Sequence, residues 1–191
     1  IAFENNLAET AFIVPEGNDH HIRWFTPTTE VALCGHATLA AAFVFYRQLG
    51  YHREHIRFNS KSGWLTVISN KTGGFTLDFP ADPPEIVNLI PDNLFESLGI
   101  EKRTLYKGKF DYMVELDNQK MVVNLKPDFK KLSQISSRGI LVTAKGDDTD
   151  IVSRCFFPQS GIDEDPVTGS AHCLLVPFWF SKTGKTNFKA I

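Results

Sequence analysis

Seven side chains could carry a proton or a negative charge at places where the chain changes pattern: Glu9, Cys34, His36, Asp163, Glu164, Asp165 and His172. Glu9 stands in NNLAETAFIVP, where a helix-like tail gives way to an apolar strand. A carboxylate at such an edge, partly withdrawn from water, suits acid/base work near neutral pH. Cys34 and His36 flank a glycine in EVALCGHATL, and Asp163, Glu164 and Asp165 lead into DEDPVTGSAH. Asp163 and Glu164 read as charges that complement a helix N-terminus. Asp165 differs because Pro166 forces its backbone extended. Its carboxylate could cap the loop or point into a cleft. Cys34 with His36 could form a nucleophile and base, although neighbours two apart do not face each other on a helix. The same pair is too sparse for a zinc site, which takes about four ligands at recognisable spacings. No dinucleotide, Walker or nucleophile-elbow glycine motif is present, so neither a cofactor nor a metal is expected.

The elements that must position these residues come twice. RWFTP (Arg23–Pro27) matches RCFFP (Arg154–Pro158). GHATLAAAFVFYRQLG (Gly35–Gly50) matches GSAHCLLVPFWFSKTG (Gly169–Gly184) over the same length, with a glycine at each end. Each copy reads as strand, loop, glycine, apolar helix and terminating glycine, the second loop being three residues longer. The first helix is apolar nearly all round and is expected to be buried on all sides. In the second, Pro177 is expected to kink the helix or limit its first part. TAFIVP, IRFNSKSGWLTVIS and GFTLDFP read as strands of the first copy. TLYKG, FDYMVEL, KMVVNL and GILVTAKG read as strands of the second, with a short helix at PDFKKLSQI. Each copy has flanking pieces that the other lacks, so further chain is expected at both ends. The predicted division is 1–83 and 84–191, with the proline-rich 81–91 as linker. Gly35 and Gly169 each open a helix, where N–H groups and the helix dipole favour a carboxylate or phosphate.

Bulk properties narrow the field. The 191 residues are 42% hydrophobic with a net charge of -2, and acids and bases are interleaved. No basic stripe suggests nucleic acid or an anionic membrane. The longest apolar runs fall short of the about 20 residues that span a bilayer, and no stretch reads as a signal peptide. Three cysteines, Cys34, Cys155 and Cys173, have no framework spacing and fit a reducing, cytoplasmic setting. Cys155 and Cys173 read as buried core thiols.

Together, NNLAETAF, RWFTPTTEVALCGHATLAAA, FNSKSGWLTV, VTAKGDDTDIVSRCFFP and GIDEDPVTGSAHC resemble the PhzF-like family of phenazine biosynthesis, in order and over nearly the whole chain. The resemblance implies the diaminopimelate-epimerase-like α+β fold. That fold has two pseudo-symmetric halves, each a barrel-like, mostly antiparallel sheet around a central helix, with the active site between them. It implies a homodimer and cofactor-independent isomerase chemistry by proton transfer, which in the phenazine enzyme isomerises a dihydro-hydroxyanthranilate. It places the acid/base on Glu9, with His36 and Asp165 assisting proton movement or positioning a small carboxylate substrate. Gly35, Gly169, Ser170, Ser62 and Gly63 become substrate-binding candidates. The chain also departs from the pattern. Ala8 stands where the motif often has serine, and a C-terminal segment rich in Ser, Arg and Gly is not in this chain. Related epimerases pair two cysteines as bases, but here Thr168 occupies the position matching Cys34. That favours one carboxylate over two thiols. Two alternatives stay open: a non-catalytic binding or scaffold protein that keeps the fold, and a racemase or epimerase using Cys34.

Overall fold

The computed structural model describes residues 1–191. The chain divides into two compact units, Ile1–Pro80 and Ala81–Ile191. No helix is long and apolar enough to cross a membrane.

The first unit begins with α1 (Ala2–Asn5), which stops at Asn6 in the left-handed region. Then come β1 (Thr10–Glu16), β2 (Asp19–Phe25), β3 (Glu30–Val31), α2 (Gly35–Arg47), β4 (His55–Ser60), β5 (Gly63–Ser69) and β6 (Phe75–Asp78). The sheet runs β1-β2-β4-β5-β6, with β3 paired to β2. All pairs are antiparallel except β2 with β4, which α2 connects as a crossover. Every second residue of the inner strands is buried: Ile22 and Trp24, Ile56 and Phe58, Leu65 and Val67. α2 lays Ala37, Ala41 and Ala42 against this layer. Their small side chains let the helix backbone approach the sheet closely.

α2 is not buried on all sides. His36, Ala40, Phe43, Val44 and Arg47 form an exposed stripe at helical spacing. The apolar composition hid this because alanines fill the face toward the sheet while Phe43 and Val44 fall on the other.

The second unit contains β7 (Glu85–Ile86), α3 (Leu94–Leu98), β8 (Leu105–Lys107), β9 (Asp111–Glu115), α4 (Gln119–Asn124), α5 (Phe129–Leu132), β10 (Gly139–Lys145), β11 (Ile151–Phe157), β12 (Ile162–Asp165) and α6 (His172–Thr183). Its sheet runs β12-β11-β10-β9-β8-β7, with only β9 and β10 parallel. Both faces are covered. Helices α3 to α5 pack on one side with Val114, Ile140, Val142 and Phe156, and α6 packs on the other with Met113, Leu141 and Phe157. That is why β10 reads GILVTA without a polar alternation until Thr143. Thr143 keeps its hydroxyl satisfied by donating to the Val152 carbonyl at 2.8 Å and accepting from Trp179 Nε1 at 3.1 Å.

KMVVNL, expected as a strand, is α4. Its β-branched pair suggested a strand, but Asn118 caps a helix by accepting the Met121 N–H at 3.0 Å. α6 runs unbroken through Pro177, against the expectation of a limit there. A proline at that position removes the N–H that would bond the Cys173 carbonyl. The Asp82 N–H supplies that bond instead, at 2.8 Å.

The internal repeat extends to side-chain detail. Arg23 grips Glu30 through Nε at 2.8 Å and Nη2 at 3.0 Å. Arg154 grips Glu164 through the same two atoms, both at 2.7 Å. Glu164 is therefore the matching fork of the second unit rather than a charge at a helix start.

Candidate active site

In the first unit, Glu9 lies in the short link between α1 and β1, beside the first turn of α2. Its Oε2 comes within 3.1 Å of His36 Nε2. The Glu9 side chain is 15% exposed and that of His36 59%. The two atoms are close but not aligned as donor and acceptor, and Oε2, withdrawn from solvent, accepts no hydrogen bond. Cys34, buried under the same turn, places Sγ 3.8 Å from Nε2 and 3.9 Å from Nδ1 of His36. Neighbours two apart thus do meet here, because Cys34 is the extended residue before the helix and not part of it.

The start of α2 carries no side-chain cap. The Cys34 carbonyl accepts from both the backbone N–H of Thr38, at 3.2 Å, and its hydroxyl, at 2.6 Å. No side chain caps the turn, so the N–H groups of Gly35, His36 and Ala37 have no intrahelical acceptor. Gly35 also packs closely: a Cβ there would stand 2.9 Å from the Phe79 ring, which would have to shift. The loop before α2 is braced from two directions. Glu30 takes Arg23 and Lys61 together, which draws its carboxyl down to about 2, chiefly through the Arg23 hydrogen bonds. Ser62 donates to the Ala32 carbonyl at 2.9 Å, and Gly63, at φ +96, lets the β4–β5 turn close toward that loop. A groove of about 670 Å³ opens at Glu9 and His36 and continues past Ala11, Ile13, Ala40 and Val44.

In the second unit, Asp165 turns its carboxylate onto its own loop. Oδ2 accepts from the Thr168 hydroxyl at 2.6 Å and Oδ1 from the Val167 N–H at 3.3 Å. Gly169 and Ser170 form a 3-10 turn, and α6 proper begins only at His172. His172 places Nδ1 3.3 Å from the Thr168 carbonyl, the position that Thr38 takes over Cys34 in the first unit. Cys155 is pushed up to about 12 and Cys173 to about 11, each mainly by burial, so neither is a thiolate at neutral pH.

Of the forks Arg23–Glu30 and Arg154–Glu164, only Glu164 was among the candidate residues, and it was read as a charge at a helix start. The signal for them was present, since Arg and Glu occupy matching places in RWFTPTTE and RCFFPQSGIDE.

The family model described as "Phenazine biosynthesis-like protein" matches residues 1–191. This chain belongs to that PhzF family. An uncharacterized isomerase of Halalkalibacterium halodurans is 46% identical over all of this chain and 72% of its own length. A PhzF family crystal structure from Enterococcus faecalis superposes with a TM-score of 0.87 at 43% identity, over 99% of this chain and 72% of that one. A probable proline racemase from Agrobacterium radiobacter, at 8% identity, has a TM-score of 0.57 over 93% of this chain and 61% of that one, a likeness of fold alone. The PhzF chain thus has the α+β fold of the diaminopimelate-epimerase type, with its two six-stranded sheets.

Proposed function

We propose that this PhzF-family protein is an isomerase that moves a proton on a small carboxylate-bearing metabolite, with Glu9 as acid and base. The observation that carries this reading is the pairing of a solvent-withdrawn Glu9 oxygen with His36 at the uncapped start of α2. The free N–H groups there favour a substrate carboxylate. Glu9 takes a proton from a carbon beside an unsaturated system, and the C–H electron pair enters that system. The protonated Glu9 then returns the proton at another carbon, so no oxidant or second substrate is consumed. His36 orients the substrate or passes the proton.

Gly35 belongs to the binding turn, with Ser62 and Gly63 shaping the loop ahead of it. In the second unit Gly169 and Ser170 are taken as substrate-binding, with Asp165 bracing their loop. A homodimer working in the cytoplasm without a cofactor completes the reading. The relatives' name as isomerases supports the reaction class.

The test is solvent deuterium exchange into a panel of unsaturated and amino carboxylic acids. Glu9→Gln should still bind the responsive acid but exchange roughly 10²- to 10⁴-fold more slowly. Undiminished exchange in that variant would exclude Glu9 as the proton carrier. A second reading, Cys34 as the base, draws on its 3.8 Å approach to His36. It requires alkylation of Cys34 to abolish exchange.

A further inference from the structure

The first unit brings together three donors that the sequence keeps apart: a carboxylate oxygen of Glu9, Sγ of Cys34 and a ring nitrogen of His36, all within 4.8 Å of one another. We propose that Glu9, Cys34 and His36 form a binding site for a borderline-soft divalent cation of the zinc class. Carboxylate, thiolate and imidazole are the three side-chain ligand types that zinc accepts. A tetrahedral centre with ordinary bond lengths separates its donors by roughly 3.3 to 3.6 Å. The separations of 3.8 Å (Sγ to Nε2) and 3.1 Å (Nε2 to Oε2) lie within a few tenths of an ångström of that range.

A second observation points the same way. Glu9 Oε2 is withdrawn from water and accepts no hydrogen bond, although a ring nitrogen is 3.1 Å away. Two groups that are near but misaligned leave their lone pairs for a third body. A buried carboxylate oxygen without a hydrogen bond is costly unless something meets it.

Sγ is almost equidistant from both ring nitrogens, so it does not lie on the lone-pair axis of either. The half-exposed His36 ring must turn about its Cβ–Cγ bond to present Nε2, a rotation that is soft for histidine. The groove that opens at Glu9 and His36 gives the ion a way in and leaves a fourth position for water or a small anion. Three protein ligands with one open place resemble catalytic rather than structural zinc centres. In this chain, however, the cation would hold the carboxylate that carries the proton, so it acts as an inhibitor. That consequence, unlike the binding itself, rests on Glu9 being the acid/base.

The test is titration of the metal-free protein with Co²⁺, followed by competition with Zn²⁺, both read by absorption without any turnover. One equivalent of Co²⁺ should give a near-ultraviolet thiolate charge-transfer band and strong visible bands of four-coordinate cobalt, and Zn²⁺ should erase them. Cys34→Ser should lose the charge-transfer band. Glu9→Gln and the exposed His36→Gln should each weaken binding by at least ~10- to 100-fold, the loss given for an outer-shell partner alone. No charge-transfer band in the wild-type protein would overturn the proposal. So would a band that survives Cys34→Ser, or affinity unchanged in both Glu9→Gln and His36→Gln. Because no reaction is monitored, these results stand apart from the exchange experiment on Glu9. Either proposal can fail while the other holds.

Discussion

At the scale of single residues, the loop before α2 depends on one carboxylate. Glu30 accepts from Arg23 and Lys61, and their hydrogen bonds hold its carboxyl at about 2, below the ordinary 4.5. A carboxyl lowered on folding stabilises the native state above its ordinary value, and that stability is lost as pH falls toward the folded value. The contribution of Glu30 should therefore be complete above about pH 4.5 and fade between about 4.5 and 2. Urea midpoints measured across that window should fall less steeply in Glu30→Gln than in the wild-type protein. An equal slope would mean that the fork does not stabilise the fold. Some residual slope is expected in the variant, because Arg154 lowers the Glu164 carboxyl in the second unit in the same way. Asp165 stands apart from these ion pairs. Thr168 and the Val167 N–H hold its carboxylate on the loop, so replacing it should disturb the Gly169–Ser170 turn before it touches any proton.

At the scale of elements, α2 is a helix whose two long faces were chosen for different purposes. Small residues face the sheet, and Gly35 goes furthest, lying against Phe79. Gly35→Ala should destabilise the protein by about 1–3 kcal/mol through overpacking. A Gly35→Ala, Phe79→Leu double variant should recover part of that loss, as the melting midpoint would show. The features that build the first turn of α2 were individually legible: the glycine at the helix start, the apolar run behind it and the duplicated order of elements. Their convergence was not. Twenty-odd positions separate Glu9 from His36, and no local periodicity reports which strand edge meets which helix turn. KMVVNL shows the opposite limit. Its side chains favour a strand, and one asparagine ahead of it decides for a helix by satisfying an N–H that a strand would not expose. Pro177 was expected to kink or limit α6, but its effect there depended on a partner almost a hundred residues earlier.

At the scale of the whole molecule, the two units share an order of elements but differ in how they are covered. Helices shield the second sheet on both faces, while Trp64 and Ile68 remain exposed on a strand of the first. Amide protection follows buried contacts, so Ile140 to Ala144 of β10 should exchange last, and the strands of the first unit sooner. Hydrogen exchange followed by peptide mass analysis would show it, and uniform protection across both sheets would refute it. Asp82 bears on where such a chain can be divided. Its N–H completes α6 at Cys173, and its carboxylate receives the Lys109 N–H at 3.0 Å from both oxygens. A fragment that starts at Ala81 carries its own stopper for the carbonyl that Pro177 leaves open. One that starts at Glu85 sheds it, exposing a polar gap in the first turn of the most apolar helix of the unit. Four residues of unstructured-looking chain thus decide whether the Cys173 carbonyl of α6 keeps its donor.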